Sequence, residues 1–187
     1  MIAVLIAIAP LMVQKTEWSA PVGGLIGRIE AVRKGAKDGT PKLIPYLVLK
    51  NVTDSLGTVD VYLSKSNLAL RLVDAKGVEI QSTLNGLNGR NGFVPNPFWL
   101  MIPFDSTITI NASLSGYFSR EKGELLLETE SAFLFIPKNY RGRAFLTGTF
   151  SVKNAPPEPR GLRWEGELSL PRIEVWDGKR ITVRASD

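Results

Sequence analysis

The chain has 187 residues, 44% hydrophobic and 22% charged, which is room for one ordinary domain with a real core and far from a disordered composition. It holds no Cys and no His, so disulfides, thiol nucleophiles, iron–sulfur clusters, thiolate or imidazole metal sites and Ser-His-Asp catalysis are excluded within it. Twenty-three Lys and Arg against 18 Asp and Glu give a formal charge of +5, but the basic residues fall in small groups without a basic arm, a recognition helix or an RNA-binding motif, so no nucleic-acid partner is expected.

Residues 2–13, IAVLIAIAPLMV, form an apolar run broken only by Pro10. As a helix this run spans about 18 Å, short of a hydrocarbon core of roughly 30 Å. The length suits the apolar region of an export signal, and Ala7-Ile8-Ala9 supplies a small-x-small cleavage pattern. No Lys or Arg precedes the run, as a truncated or misassigned start would produce. Residues 1–16 are therefore read as an export signal or its remnant, with a buried first strand as the competing reading. Any membrane contact is confined to this segment, and residues 17–187 are read as one domain.

From there the pattern has period 2. Strands are expected at 25–32, 43–50, 58–63, 67–73, 78–81, 107–115, 132–136, 143–152, 163–170, 172–176 and 180–184. In 58–63, Val59, Val61 and Leu63 oppose Thr58, Asp60 and Tyr62; in 107–115, Ile108, Ile110, Ala112 and Leu114 oppose Thr, Asn and Ser. Such alternation marks strands with one face on a core and one in water, as antiparallel sheets have. LIPYLVL at 43–49 is apolar on both faces and belongs at the centre of a sheet. Asp74-Ala75-Lys76-Gly77 is a turn joining 67–73 to 78–81, and Asp177-Gly178 a hairpin turn between the last two strands. Pro156, Pro157 and Pro159 mark a stiff connection. Residues 121–130 stay open between a short helix and something else. The fold class is all-β: an antiparallel two-sheet sandwich of immunoglobulin-like architecture.

The chemistry-bearing motifs are weak. Ser119-Arg120-Glu121-Lys122 has the Ser-x-x-Lys spacing but none of its companion motifs, and Gly123 breaks the helix it needs. Glu121, Glu124, Glu128 and Glu130 are an acidic cluster whose spacing nothing sets. No Asp series has calcium-loop spacing, so neither a metal nor a cofactor is expected. Asn51-Val52-Thr53 and Asn111-Ala112-Ser113 match the glycosylation tripeptide. The segment that stands apart is 84–99, LNGLNGRNGFVPNPFW. Its length without a strand pattern and its amides beside aromatics make Asn85, Asn88, Arg90, Asn91, Phe93 and Asn96 the candidate ligand-binding residues. The competing reading is a lid, with Phe93, Phe98 and Trp99 buried as anchors over the core and Asn and Gly making turns.

EWSAPVGGLIGRIEAV, PYLVLKNVTDSLGTVDV, LRLVDAKGVEIQ, PFWLMIPFDSTITINASLSGY, AFLFIP and RWEGELSLPRIEV together resemble an uncharacterised family of exported bacterial immunoglobulin-like β-sandwich proteins, over roughly residues 17–176. The resemblance implies a periplasmic or cell-envelope location and carries no catalytic residue across. The expected function is non-enzymatic: a binding or scaffolding module whose partner is an envelope protein or a glycan. An inhibitor that inserts a loop into a partner enzyme and a carbohydrate-binding module are the alternatives.

Overall fold

The computed structural model describes residues 14–15, 17–35, 41–54, 57–64, 67–80, 82–83, 97–112, 115–119, 124–128, 133–137, 139–157, 162–179 and 185–186. Among them every regular element is a strand. In chain order these are β1 (Gln14–Lys15), β2 (Leu25–Gly35), β3 (Pro41–Asn51), β4 (Thr58–Leu63), β5 (Leu68–Val73), β6 (Ser82–Thr83), β7 (Phe98–Pro103) and β8 (Thr107–Asn111). They continue with β9 (Ser115–Ser119), β10 (Glu124–Glu128), β11 (Phe133–Phe135), β12 (Ala144–Val152), β13 (Leu162–Arg163), β14 (Gly166–Trp176) and β15 (Ala185–Ser186). The protein is all-β.

Hydrogen bonding divides these strands among four sheets: β1-β2-β3-β8 with β15 also on β2, then β6-β11-β10-β9, β14-β12-β5 and β13-β4-β7. The ladders are antiparallel except β13 on β4 and β15 on β2, which are parallel. β9 lies against β3, so the chain after β8 keeps company with the same strand. As its two-sided apolar pattern requires, β3 is central, paired along its length with β2 on one side and with β8 on the other.

Local chemistry explains the turns. Val22 and Leu25 exchange backbone hydrogen bonds of 2.9 and 3.0 Å around Gly23 and Gly24, whose φ values of 55° and 79° suit the two-residue turn that matches strand twist. That turn folds residues 17–22 back along β2, and Gln14 and Lys15 pair with Ala31 and Glu30 of β2. The Asp74 turn forms as expected: its Oδ1 accepts from the N–H of Lys76 (2.8 Å) and Val78 (2.9 Å), and Gly77 takes φ 86°. Beyond it, 78–81 is not a full strand among the described residues; Glu79 makes an isolated bridge to Val73, and Ile80 donates to Leu72 at 2.8 Å.

One other expectation changes. The strands expected at 163–170 and 172–176 are joined in β14, which runs through Pro171 with two register shifts against β12; an outer strand with a bulge accommodates a proline that a central ladder does not. The Asp177-Gly178 turn is present, with Gly178 at φ 95° and Lys179 N–H on Asp177 Oδ1 at 2.9 Å. The strand expected at 180–184 lies outside the described residues, and the strand after it, β15, pairs with β2. Glu124–Glu128, left open in the sequence, is a strand between β9 and β11.

One core serves all this. Leu25, Ile29 and Ala31 of β2, Leu47 and Leu49 of β3, Val59 and Val61 of β4, Ile102 of β7, Leu146, Phe150 and Val152 of β12, and Leu168 and Leu170 of β14 belong to a single buried cluster. Gly27 sets the approach of β2 to β14: a Cβ there would lie 3.0 Å from Leu170 and 3.2 Å from Leu168. Trp164 ties strands of different sheets together. It is buried, stacks on Phe150 with ring centroids 5.6 Å apart, donates its Nε1–H to Val22 O at 2.7 Å and its backbone N–H to Asp60 O at 2.9 Å.

Candidate functional site

The expected ligand-binding residues Asn85, Asn88, Arg90, Asn91, Phe93 and Asn96 lie outside the described residues, as does the Ser-x-x-Lys stretch from Arg120 to Lys122. Of the acidic cluster, Glu124 and Glu128 bound β10, while Glu121 and Glu130 lie outside the described residues. What the structure does show is the C-terminal end of the 84–99 segment, and it differs from the lid reading. Phe98 is 48% exposed rather than a buried anchor, and Trp99 is half-buried against Tyr62 of β4, with ring centroids 5.3 Å apart and planes tilted by 55°. Both residues open β7.

β7 is the outer strand of the β13-β4-β7 sheet, and among the described residues no strand pairs with its far edge. Its sequence, FWLMIP, carries no charge. Three large apolar side chains on or just after it are in water: Phe98, Met101 at 51% and Phe104 at 40%. Edge strands of soluble proteins usually carry a charge or a bulge against exactly this kind of exposure.

The proline at its end fixes which backbone groups are open. Thr58 faces Pro103 across the ladder, and Pro103 has no N–H, so this cannot be a hydrogen-bonded pair. Antiparallel pairs alternate, which makes Val59–Ile102, Val61–Leu100 and Leu63–Phe98 the hydrogen-bonded pairs. Trp99 and Met101 therefore turn their N–H and C=O groups away from β4, toward the open edge.

Asn51 holds the strand from behind. It is 0% exposed, and all four of its side-chain bonding positions are used. Nδ2 donates to Ile102 O at 2.9 Å and to Gly57 O at 3.3 Å, while Oδ1 accepts from Thr53 N–H at 3.0 Å and Thr53 Oγ1 at 2.8 Å. The tripeptide Asn51-Val52-Thr53 is thus a bolt between β3 and β7, not an accessible glycosylation site. Asn111, by contrast, is exposed at the end of β8. At the turn after β7, Lys50 pairs with Asp105 at 2.5 Å, and Asp105 adopts φ 53°.

The carboxylates nearby have structural duties. Asp60, opposite Met101, is 1% exposed and engaged. Glu165 pairs with Arg163 and accepts the Ala155 N–H at 3.1 Å; these hydrogen bonds hold its carboxyl below the ordinary glutamate range. On the β12–β14 face, Phe145 lies between two guanidinium groups, Arg172 at 4.8 Å and Arg143 at 5.3 Å from its ring centroid, and Arg143 pairs with Glu174. Among the described residues no three Asp or Glu side chains gather to hold a metal ion.

Comparisons with protein-family models, curated proteins and solved structures returned no match. The β7 edge has one sequence signal: Pro97 and Pro103 bracket a short, uncharged, glycine-free run, a strand signal hidden at the end of a loop.

Proposed function

We propose that the protein is a non-enzymatic binding or scaffolding module of the cell envelope, built as an immunoglobulin-like two-layer β-sandwich, and that it takes an extended chain onto the open edge of β7. Three features support the reading. All sheets share one core, with β2 close-packed on β14 at Gly27. The alternation in β12 and β14 puts a polar face outward, as in sandwiches. The observation that carries the functional part is the uncharged outer strand with the Trp99 and Met101 backbone groups open. Strand addition draws affinity from main-chain hydrogen bonds and specificity from alternate side chains, here Trp99 and Met101 on one face and Phe98 on the other.

The test is capture from an envelope extract by the immobilised protein and by a Met101→Lys variant. Lys at the centre of the edge places a solvated charge where an added strand would lie. A partner retained by the wild type and lost by the variant, with the β-sheet circular dichroism of both unchanged, is the expected result. Equal retention by both overturns the reading.

A further inference from the structure

We infer that the occupant of the β7 edge is a second copy of this chain, paired antiparallel with Leu100 on the two-fold axis. The inference rests on the reading of β7 as the binding edge and names what binds there. The edge has two open hydrogen-bonding residues, Trp99 and Met101, one on each side of Leu100, and a proline on each flank, Pro97 and Pro103. Position is what makes this self-complementary. Set antiparallel about Leu100, Trp99 of one copy lies opposite Met101 of the other, and the two pairs exchange four backbone hydrogen bonds. Phe98 then faces Ile102 of the second copy. Pro97 faces Pro103 of the second copy at the next hydrogen-bonding position, where neither supplies an N–H, so the shared ladder ends there. No other centre matches both open residues and both prolines.

Net charge works against self-association, since two chains of formal charge +5 repel one another, and the β7 edge is where that repulsion is locally smallest. From Pro97 to Phe104 there is no charged residue; the first charge beyond, Asp105, is already paired with Lys50. On one face of the joined sheet, half-exposed Met101 would rest against the Trp99 ring of the other copy, the thioether–aromatic contact that methionine favours. A single edge of this length buries well under the roughly 800 Å² per partner of a standard interface, so the dimer is weak and forms as concentration rises. The joined β13-β4-β7 sheets would run continuously through both copies.

The register gives the test. Across the axis, the Leu100 residues form a non-hydrogen-bonded pair with Cα atoms about 4.5 Å apart, inside the range a disulfide spans. The chain has no Cys, so a Leu100→Cys variant carries one thiol and can form only one bridge. Under mild oxidation at about 100 μM, Leu100→Cys should cross-link at least tenfold faster than Val78→Cys, whose residue is exposed on the Asp74 turn. In sedimentation velocity the wild type should move from 20.5 kDa toward twice that mass between about 10 and 500 μM, while Met101→Lys stays monomeric with an unchanged unfolding midpoint. A wild type that remains monomeric throughout, with Leu100→Cys cross-linking no faster than Val78→Cys, overturns the inference. In that case envelope capture that still depends on Met101 leaves β7 as a binding edge with a different occupant, and capture indifferent to Met101 removes both readings.

Discussion

β7 and β14 are both outer strands, yet they meet solvent in opposite ways. β14 carries Glu167, Arg172 and Glu174, contains Pro171, and shifts register twice against β12. Its charges are themselves engaged, Glu167 with Lys153 at 3.5 Å and Glu174 with Arg143. Each of these devices discourages a further strand from adding to a sheet. β7 has none of them between its flanking prolines, and it leaves Met101 and Phe98 half in water. Among the described residues, one edge is therefore protected thoroughly and the other is left bare. Bare edges are aggregation hazards unless something covers them in use, and that contrast is the physical ground for assigning β7 a partner.

The contrast presumes that both edges hang on one rigid frame, and the largest predicted effect tests that. Trp164 sits where β13 of the β7 sheet passes into β14, and its ring and two N–H groups reach Phe150 of β12, Val22 before β2 and Asp60 of β4. Trp164→Ala should cost roughly 3–5 kcal/mol in urea unfolding. A loss under about 1 kcal/mol would mean that the two sheets are not mechanically coupled there. Asn51→Ala comes next. It leaves the buried carbonyl of Ile102 without that donor, a loss of about 1–3 kcal/mol for a group denied water. Hydrogen exchange at the Leu100 and Ile102 amides should accelerate more than at Leu168 and Leu170. Uniform acceleration would show that Asn51 supports the whole core and not the β7 side.

Phe98 and Trp99 then separate edge from lid. Phe98→Ala should change stability by less than about 1 kcal/mol, because nearly half of the side chain is already in water. Trp99→Ala should cost more, since it removes the Tyr62 pair, itself worth about 0.5–1.5 kcal/mol beyond area burial. Thermal unfolding of the two variants side by side is sufficient. A cost of roughly 3–5 kcal/mol for Phe98→Ala would restore the buried-anchor reading.

What the sequence disclosed followed from how local each determinant is. The strand at 58–63 reads directly from alternation, and the Asp74 turn from a carboxylate bonding its own backbone two and four residues on. The centrality of β3 was visible because both of its faces are apolar. Sheet membership was not, since ladder partners such as Phe150 and Leu68 lie far apart in the chain. The triple leucine run at 125–127 defeats any period, so β10 had to be seen. Gly23-Gly24 is a two-residue hairpin signal that stands outside the alternation and so carries no strand pattern of its own. β7 was hidden because the Asn- and Gly-rich stretch before it drew Phe98 and Trp99 into a loop, when the prolines at 97 and 103 were marking the ends of a strand.

The smallest effect concerns the connection that leads into β13 and so into the β7 sheet. Glu165 is exposed, and the Arg163 side chain and the Ala155 N–H both stabilise its ionised form, which lowers its pKa in the folded protein. A group whose pKa is depressed by folding binds fewer protons in the native state than in the unfolded state. Its contribution is therefore complete above the ordinary glutamate value and is lost as pH falls through the lower, folded value. Glu165→Gln removes that dependence. The stability gap between wild type and variant should be small and constant from neutral pH down to about pH 5, then narrow steadily on further acidification. Urea unfolding of both proteins at half-unit pH steps measures it, and a gap that stays constant to pH 3 would show that the Arg163 and Ala155 contacts do not discriminate between the two protonation states. Because β14 begins at Gly166, immediately after this residue, while β13 ends just before it, acid should also raise hydrogen exchange in β13 and β4 before it does in the centre of β14. The unguarded side of the molecule would then be the more acid-sensitive one.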